Sequence, residues 1–481
     1  MRRAKIVATL GPATSSYDNI RAIIDAGVDV ARMNLSHGSY DVHEGVYANV
    51  RKAAEDAGKP VAVLVDLQGP KIRLGKFEAG PYDLAQGDIF KITTDDVVGT
   101  KELSGTTFKG LPNDVQPGDF LLIDDGKVKV QVVETDGTVV TTKVIVAGPV
   151  SNNKGINLPG VAVNVPALSE KDEDDLRWGL RLGADLIALS FVRDAGDVTR
   201  VHEIMAEEGR RIPVIAKIEK PQAVDHLEEI IDAFDAIMVA RGDLGVELPL
   251  EAVPIVQKRA VEIARRMAKP VIVATQMLES MIHHPAPTRA EASDVANAVL
   301  DGTDAVMLSG ETSVGEYPIE TVETMARIIA STEDHELASM SAIDWQPKTR
   351  GGVIAKAAAE VAERVGAKYL VAFTQSGDSA RRASRYRGRI PVLAFTPEAR
   401  VRSQLSLSWG VETFLTNPVE HTDEMVRQVD EALLEIGRVK QGDLVVIIAG
   451  SPPGIPGSTN ALRIHRMGDA INAVAPAYRR T

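Results

Sequence analysis

The sequence predicts an α/β protein: a (β/α)8 TIM barrel with a small β-barrel domain inserted into it and an open-sheet α/β domain after it. Three observations predict this fold class. Buried, β-branched strands alternate with helices and add up to eight. One interruption contains short, half-polar strands between turns rich in Gly, Asp and Asn. A further block of buried strands follows a polar stretch near residue 345.

The first three barrel strands are predicted at 5–10, 28–35 and 61–67. A helix capped at Ser15 or Ser16 should run through Ala26, and a second helix should end near Ala57. Each strand is a short apolar run, which is typical of a parallel strand buried on both faces.

The insertion is predicted to span residues 70–166, so that the barrel domain consists of residues 1–69 and 167–340. Alternating runs at 119–123, 127–132 and 139–144 predict antiparallel strands within it. The remaining barrel strands are predicted at 185–192, 213–219, 236–241, 270–275 and 305–309. Because the active site of such a barrel lies at the C-terminal strand ends, the candidate functional residues are those that end these strands.

The C-terminal block, residues 346–481, is predicted to form a separate, open, doubly wound α/β domain. Its buried strands are predicted at 369–373, 391–395 and 444–449.

Composition narrows the function. The net charge of −13 argues against binding nucleic acid through bulk charge. The sequence contains no apolar run of about 18 residues, so no membrane span is expected. There is no Cys and no apolar signal core near the N-terminus. These features predict a cytoplasmic protein without disulfides and without nucleic-acid or membrane partners.

Lys217 and Glu219 end the fifth strand and point to the same face, because side chains alternate along a strand. A structural ion pair is one reading of this pattern. The alternative is a site in which Glu219 and Asp243, at the end of the next strand, share a divalent cation. Two solvated loop acids would be the plain explanation of that pair.

Other strand ends are also polar. Residues 242–245 (GDLG) favour either a tight turn or a short helix whose free N–H groups bind a carboxylate. Arg32 and Arg73 suit phosphate oxygens but are equally consistent with surface arginines. Three further residues supply only hard oxygens: Asn34, Ser36 and Asp66. These oxygens suit either a bound cation or a polar network without a ligand.

Six ordered motifs resemble those of the pyruvate kinase family, and the resemblance extends over essentially the whole chain. They are residues 31–38 (ARMNLSHG), 66–73 (DLQGPKIR), 153–160 (NKGINLPG), 215–219 (IAKIE), 238–245 (MVARGDLG) and 307–312 (MLSGET). The resemblance implies Mg2+-dependent phosphoryl transfer from phosphoenolpyruvate to ADP, giving pyruvate and ATP, the last step of glycolysis. It also implies a homotetramer regulated through the C-terminal domain.

The resemblance implies roles for individual residues. Lys217, Arg32 and Thr275 would be catalytic, with Thr275 near the carbon that is protonated. The substrate would be held by Arg32, Lys217, Gly242, Asp243 and Thr275. Nucleotide contacts would come from Asn34, His37, Arg73 and Lys154. Mg2+ would bind Glu219 and Asp243, and K+ would bind Asn34, Ser36, Asp66 and the carbonyl of Leu67. The inserted domain would act as a lid over the nucleotide.

Two departures from the family pattern matter. Lys71 stands where many members have Glu, and its ammonium could replace K+, so activity is expected to depend weakly or not at all on K+. The effector-phosphate candidates are Thr374, Ser376 and Ser379. Asp378 beside them, and a facing loop at 450–458 without Lys or Arg, disfavour a bisphosphate effector. A sugar monophosphate or a nucleotide stays open, with basic residues nearby in sequence at Arg382, Arg385 and Arg387.

Two other functions compete with this reading. In a barrel aldolase, Lys217 would form a Schiff base with a keto substrate. In a non-catalytic metabolite sensor, the same scaffold would bind without turnover. The aldolase leaves the acidic pair and the lid unexplained, and the sensor leaves the costly buried charges unexplained.

Overall fold

The computed structural model describes residues 2–124, 126–161, 166–340, 343 and 345–471. The predicted domain boundary near residue 166 adjoins a gap at 162–165, and the last ten residues of the predicted C-terminal domain lie outside the described residues. None of the helices in these segments combines the length and apolar character needed to cross a bilayer.

The barrel begins with three strands and two helices: β1 (Lys5–Thr9), α1 (Tyr17–Ala26), β2 (Val30–Asn34), α2 (Tyr40–Asp56) and β3 (Ala62–Asp66). The Ser16 side chain accepts the N–H of Asn19 and caps α1, as the sequence predicts. Gly27 ends that helix with φ 128°, a conformation that a residue with a Cβ rarely adopts.

The insertion leaves the barrel after β3. Its elements are β4 (Tyr82–Leu84), β5 (Ile89–Thr93), β6 (Leu103–Gly105), α3 (Leu111–Asp114), β7 (Phe120–Ile123), β8 (Val128–Thr135), β9 (Val139–Val146), β10 (Gly148–Val150) and β11 (Ile156–Asn157). In the described residues these strands form a six-stranded sheet and a two-stranded sheet instead of one closed ring. Both sheets enclose an apolar core of their own, which runs from Ile72 to Val161.

The barrel then resumes with five strands and nine helices. They are α4 (Glu170–Leu182), β12 (Leu186–Leu189), α5 (Val198–Glu207), β13 (Val214–Ile218), α6 (Pro221–Asp225), α7 (Leu227–Ala233), β14 (Ala236–Ala240), α8 (Arg241–Glu247), α9 (Val253–Met267), β15 (Val271–Ala274), α10 (Arg289–Asp301), β16 (Ala305–Leu308), α11 (Gly310–Ser313) and α12 (Pro318–Glu336). Eight parallel strands close in the order β1-β16-β15-β14-β13-β12-β3-β2, so all their C-terminal ends meet at one rim.

Short 3-10 helices lie at Pro12–Thr14, Ala195–Asp197, Leu250–Ala252, Glu279–Ile282, Leu337–Ser339 and Leu405–Leu407. The C-terminal domain contains α13 (Arg350–Arg364), β17 (Tyr369–Phe373), α14 (Asp378–Ser384), β18 (Val392–Thr396), α15 (Ala399–Gln404), β19 (Val411–Leu415), α16 (Thr422–Glu435), β20 (Leu444–Gly450) and β21 (Thr459–Arg466).

The strand order of this domain is β19-β18-β17-β20-β21, with β21 antiparallel to its neighbour. Helices α13 to α15 pack on one face of the sheet and α16 packs on the other, so the domain is doubly wound as predicted. The sequence analysis did not identify β19 and β21. Both are edge strands interrupted by polar residues, so they lack the continuous apolar run of a central strand.

The C-terminal domain has a sheet and cores of its own, as predicted, and it also packs against the barrel. Leu407 fills the barrel interior together with residues such as Val7 and Met307. Trp409 is 2% exposed and belongs to the main core of the barrel. Residues from the C-terminal domain therefore close the N-terminal end of the barrel, opposite the rim where the strands end.

A buried ion pair holds this seam together. Arg387 donates to Asp304, which precedes β16, at 2.9 Å, and the other carboxylate oxygen of Asp304 accepts the backbone N–H of Trp409 at 2.9 Å. The guanidinium carbons of Arg387 and Arg3 lie 4.9 and 5.2 Å from the centre of the Trp409 ring. One carboxylate thus joins the base of the barrel to the C-terminal sheet.

Candidate active site

Lys217, Glu219 and Asp66 meet at the C-terminal rim, as the sequence predicts. The Lys217 ammonium lies 2.9 Å from Glu219 Oε1 and 3.5 Å from Asp66 Oδ1. It also donates to Ser190 Oγ at 2.8 Å. Arg32 donates to the second oxygen of Asp66 at 2.6 Å and to Thr9 Oγ1 at 2.9 Å. The side chains of Asp66 and Glu219 are each only 1% exposed.

The charges in this cluster hold each other ionised. Burial alone would raise the pKa of Asp66, but Lys217 and Arg32 outweigh it and the pKa lies below its usual value. Burial alone would lower the pKa of Lys217, but Asp66 and Glu219 raise it above its usual value. Lys217 is therefore a fixed ammonium group at neutral pH.

Glu219 is the carboxylate of the cluster whose buried negative charge is least neutralised by its neighbours. Burial, reinforced by the charge of Asp243, raises its pKa despite the nearby Lys217. Its Oε2 accepts the N–H of Phe191 at 2.7 Å, and its Oε1 has the Lys217 ammonium at 2.9 Å as its partner. A further cation beside Glu219 would offset this deficit, because a buried carboxylate is stable only when paired.

Asp243 completes a pair of carboxylates that suits a divalent ion. It lies in the first turn of α8, directly after β14, and its charge acts on both Glu219 and Lys217. The described residues contain no cluster of three or more His, Cys, Asp or Glu arranged to hold a metal. Two carboxylates are enough for Mg2+, which usually keeps several water or substrate oxygens as ligands. The donor set therefore fits this ion.

Thr275 has an unusual backbone. The φ of Thr275 is 71°, in a region that β-branched residues strongly avoid, and the φ of the following residue, Gln276, is 54°. Thr275 Oγ1 accepts the N–H of Gly242 at 2.7 Å and donates to the carbonyl of Ala274 at 2.6 Å. The Thr275 carbonyl accepts a hydrogen bond from Arg241 at 2.7 Å. The strained turn thus places one hydroxyl against the first N–H groups of α8.

The predicted K+ ligands lie around the ends of β2 and β3. Asn34 Oδ1 accepts the N–H of Ser36 at 3.2 Å, and the carbonyl of Leu67 accepts Ser190 Oγ at 2.8 Å. Asp66 Oδ1 faces the Lys217 ammonium at 3.5 Å. His37 is exposed beside them, and its carbonyl accepts a hydrogen bond from the His43 ring.

Lys71 does not pair with these oxygens in the structure. Within the described residues its ammonium forms no ion pair with an Asp or Glu, and its stem lies over Gly155 of the inserted domain. It lines a small cavity between the two domains, together with Asn157, Arg193 and Lys220. The substitution of Lys71 for the K+ ion remains a prediction.

Arg73 and Lys154 form a second basic cluster, on the inserted domain. Arg73 donates to the carbonyl of Asn153 at 3.0 Å, and Lys154 pairs with Asp124 at 3.0 Å. Both contacts lie within the inserted domain. The structure thus assembles the candidates in two groups, one on the barrel rim and one on the insertion.

The effector candidates line a cavity of about 110 Å³ between the loops at 374–379 and 450–459. Thr374 Oγ1 accepts the N–H of Gly377, and Ser379 Oγ shares a hydrogen bond of 2.6 Å with Thr459. None of the described residues that line this cavity is Lys or Arg.

The basic residues near this loop in sequence point elsewhere. Arg382 pairs with Asp378 at 2.6 Å, Arg385 donates to a carbonyl of α9 in the barrel, and Arg387 is buried against Asp304. The expectation that Arg385 and Arg387 could serve an effector is therefore wrong: both guanidinium groups satisfy buried acceptors at the seam with the barrel.

Sequence reasoning assigned no role to three residues of the rim. Ser190 contacts Lys217 and Leu67, and the backbone of Phe191, at φ 55°, holds Glu219. Arg241 holds Thr275 and pairs with Asp294 at 2.7 Å. Ser190 could have been found, because it is the polar residue that ends an apolar strand. The contact of Phe191 is made by its backbone, so the residue type carries no signal for it.

A closed barrel that holds Lys217 and Arg32 against two buried carboxylates at its C-terminal rim defines a barrel enzyme with a site suited to a negatively charged, phosphorylated substrate. Comparison with protein families refines this class. The description "Pyruvate kinase, barrel domain" matches residues 1–322, and "Pyruvate kinase, alpha/beta domain" matches residues 353–465. The chain belongs to the pyruvate kinase family.

Individual relatives agree over nearly their whole length. A pyruvate kinase of Mycobacterium tuberculosis (strain H37Rv) is 58% identical over 468 residues, covering 97% of this chain and 99% of the relative. A pyruvate kinase of Corynebacterium glutamicum is 57% identical, covering 97% and 98%. The crystal structure of a pyruvate kinase from Cryptosporidium parvum matches with a TM-score of 0.91 at 35% identity, covering 97% of this chain and 96% of that one.

Proposed function

We propose that this chain transfers the phosphoryl group of phosphoenolpyruvate to ADP, forming pyruvate and ATP in the last step of glycolysis, in the cytoplasm. The observation that carries this proposal is the buried Lys217 ammonium, which lies between Glu219 and Asp66 at the barrel rim. Phosphoryl transfer requires fixed positive charge around a spreading negative charge and little covalent chemistry from the protein.

Lys217 and Arg32 are the proposed cationic contacts of the transferred phosphoryl group. Since both are already oriented by Asp66, they need not reorganise when charge develops in the transition state. Glu219 and Asp243 are the proposed Mg2+ ligands. Bound there, the ion would neutralise phosphoryl oxygens as a Lewis acid.

The substrate carboxylate is proposed to lie at the start of α8, against Gly242, Asp243 and Thr275. The N–H of Gly242 now donates to Thr275 Oγ1, and a bound carboxylate would compete for this donor. The Thr275 hydroxyl donates its own proton to the Ala274 carbonyl, so it must turn away from that carbonyl to donate toward the enolate carbon that is protonated after phosphoryl transfer.

The nucleotide is proposed to bind between the rim residues Asn34 and His37 and the basic pair Arg73 and Lys154 on the insertion. Lys154 and Arg73 are partly exposed and suit phosphate oxygens. Closure of the insertion over the rim would bring the two groups together and exclude water.

We propose that a monovalent cation such as K+ binds to oxygens of four residues: Asn34, Ser36, Asp66 and Leu67, the last through its carbonyl. The buried carboxylate of Asp66, at the end of β3, supports a cation there. Lys71, on the hinge segment after β3, is the proposed substitute for that ion.

For regulation, we propose a homotetramer in which a phosphorylated effector binds Thr374, Ser376 and Ser379. The cavity between the loops at 374–379 and 450–459 supports this location, and its lack of basic side chains favours a monophosphate over a bisphosphate.

The aldolase alternative is disfavoured by the same electrostatics. A Schiff-base lysine must lose its proton easily, whereas Asp66 and Glu219 raise the pKa of Lys217.

The decisive experiment is a coupled assay with the purified chain. Phosphoenolpyruvate, ADP and Mg2+ should give pyruvate and ATP in equal amounts, and chelation of the metal should stop the reaction. Absence of both products, or a borohydride-trapped adduct of Lys217 with a keto substrate, would overturn the proposal.

A further inference from the structure

Glu247 makes a contact between the barrel and the inserted domain that the reaction as proposed does not use. It is the last residue of α8, and its side chain is 2% exposed. One oxygen, Oε1, accepts both the Lys220 ammonium at 2.6 Å and the Asn157 side-chain amide at 3.1 Å. A buried carboxylate requires such partners, so the three side chains form one compact unit.

Each member of this unit belongs to a segment that carries part of the site. Lys220 directly follows Glu219 on the strand-end segment of β13. Glu247 ends the helix whose first turn contains Gly242 and Asp243. Asn157 lies in β11 of the inserted domain, paired with Leu122 of β7.

Lys220 reaches the metal ligand by a second route. Its ammonium lies 5.5 Å from the centre of the Phe191 ring, and the N–H of Phe191 donates to Glu219 Oε2 at 2.7 Å. A displacement of Glu247 would therefore shift both segments that carry the proposed metal ligands, the one with Glu219 and the one with Asp243. Of the three segments, the one through Asn157 belongs to the inserted domain, whose closure over the rim is proposed above.

We propose that Glu247 is a positioning residue that couples the inserted domain to the two segments carrying Glu219 and Asp243. Asn157 attaches the insertion to this carboxylate, and Lys220 neutralises it. The position of the insertion thereby sets how well the two metal ligands are aligned. This inference rests on the proposed function for its kinetic consequences but not for the contact itself.

The test combines amide hydrogen exchange with steady-state kinetics on the full chain. Asn157→Ala removes only the attachment of the insertion, and Glu247→Gln keeps the shape but removes the charge that Lys220 requires. Exchange in β7 and β11 of the metal-free chain should be faster in both variants. The Mg2+ concentration for half-maximal activity should rise about tenfold in Glu247→Gln, as is usual when outer support of a metal ligand is lost.

Gln131→Ala is the matched control, because the Gln131 amide donates to the Gly118 carbonyl within the insertion and touches no barrel residue in that hydrogen bond. It should leave the Mg2+ response unchanged. Combining Asn157→Ala with Glu247→Gln should add little to the effect of Glu247→Gln alone, because both act through one contact.

Unchanged exchange in β7 and β11 of Asn157→Ala would overturn the proposal. A lower melting temperature of either variant, with kinetic constants equal to those of the unmodified chain, would also overturn it. If Glu247→Gln fails to fold, Asn157→Ala still decides between these outcomes. An unmodified chain without turnover would count against the proposed reaction, while the exchange comparison would still test the attachment.

Discussion

Replacing Lys217 with Met tests the central electrostatic claim. The variant removes the ammonium and keeps an unbranched side chain of similar length. Turnover should fall by roughly 10²-fold or more, the usual effect of deleting one preorganised donor. Stability should also fall, because Asp66 and Glu219 lose their shared cation.

The size of the stability loss follows from the geometry. At an effective dielectric constant of about 20, charges at 2.9 and 3.5 Å attract by about 6 and about 5 kcal/mol. Desolvation of the three groups cancels much of this attraction. Breaking a buried ion pair by removing one partner costs about 3–5 kcal/mol, which is the loss expected here for the metal-free chain.

The loss should depend on pH. Lys217 helps to hold the pKa of Asp66 below its usual value, so its removal raises the pKa of both carboxyl groups in the folded chain. A carboxyl group whose pKa is higher in the folded chain than in the unfolded chain lowers the stability of the fold while the group is ionised. This loss of stability disappears as the pH falls toward the pKa of the unfolded chain, near 4. The difference in stability between Lys217→Met and the unmodified chain should therefore shrink from pH 8 to pH 5.

Differential scanning calorimetry at both pH values measures this difference, and the pyruvate assay measures turnover. Lys258→Met is the matched control: Lys258 is 59% exposed in its pair with Asp301, so its loss should cost at most about 1 kcal/mol. Turnover within tenfold of the unmodified chain, or a stability loss no larger than that of the control, would refute the reasoning.

Three further predictions address other parts of the chain. Replacing K+ with a large organic cation should change turnover little if Lys71 supplies the charge, and a collapse of the rate would contradict that role. Thr275→Ser should stay within several-fold of the original turnover, because it keeps the hydroxyl. Thr275→Ala should lose about 10²-fold, because the proposed proton donor to the enolate carbon is absent; equal rates for the two variants would exclude a role for the hydroxyl. Arg387→Ala should destabilise the chain by about 3–5 kcal/mol, since it leaves Asp304 unpaired in the seam, and an unchanged melting temperature would show that the ion pair contributes nothing.

Much of the fold follows from local patterns. The eight barrel strands are short, mostly apolar runs with polar residues at or near their C-terminal ends, so both their number and their convergence could be predicted. The edge strands of the C-terminal sheet could not, because β21 has only two buried positions and resembles an exposed loop. The packing of Trp409 and Leu407 against the barrel depends on how two domains meet, and no local pattern encodes that.

The site likewise has parts that the sequence predicts and parts that it does not. Lys217, Glu219 and Asp66 could be placed together because strand alternation and strand order fix their positions. The direction of a long side chain could not be predicted: Arg385 and Arg387 follow the effector loop by fewer than ten residues in sequence, yet both reach the barrel. Contacts made by the backbone of Phe191 were equally invisible, since any residue type provides an N–H.

The seam at Trp409 also has an optical consequence. The chain has three tryptophans, and Trp409 is the one enclosed between two guanidinium groups at the junction of barrel and C-terminal domain. Replacing Trp178 and Trp345 with Phe would leave a single fluorophore at that junction. Its emission should shift to longer wavelength when water reaches the indole, so the chain contains an intrinsic reporter of domain separation that requires no added dye.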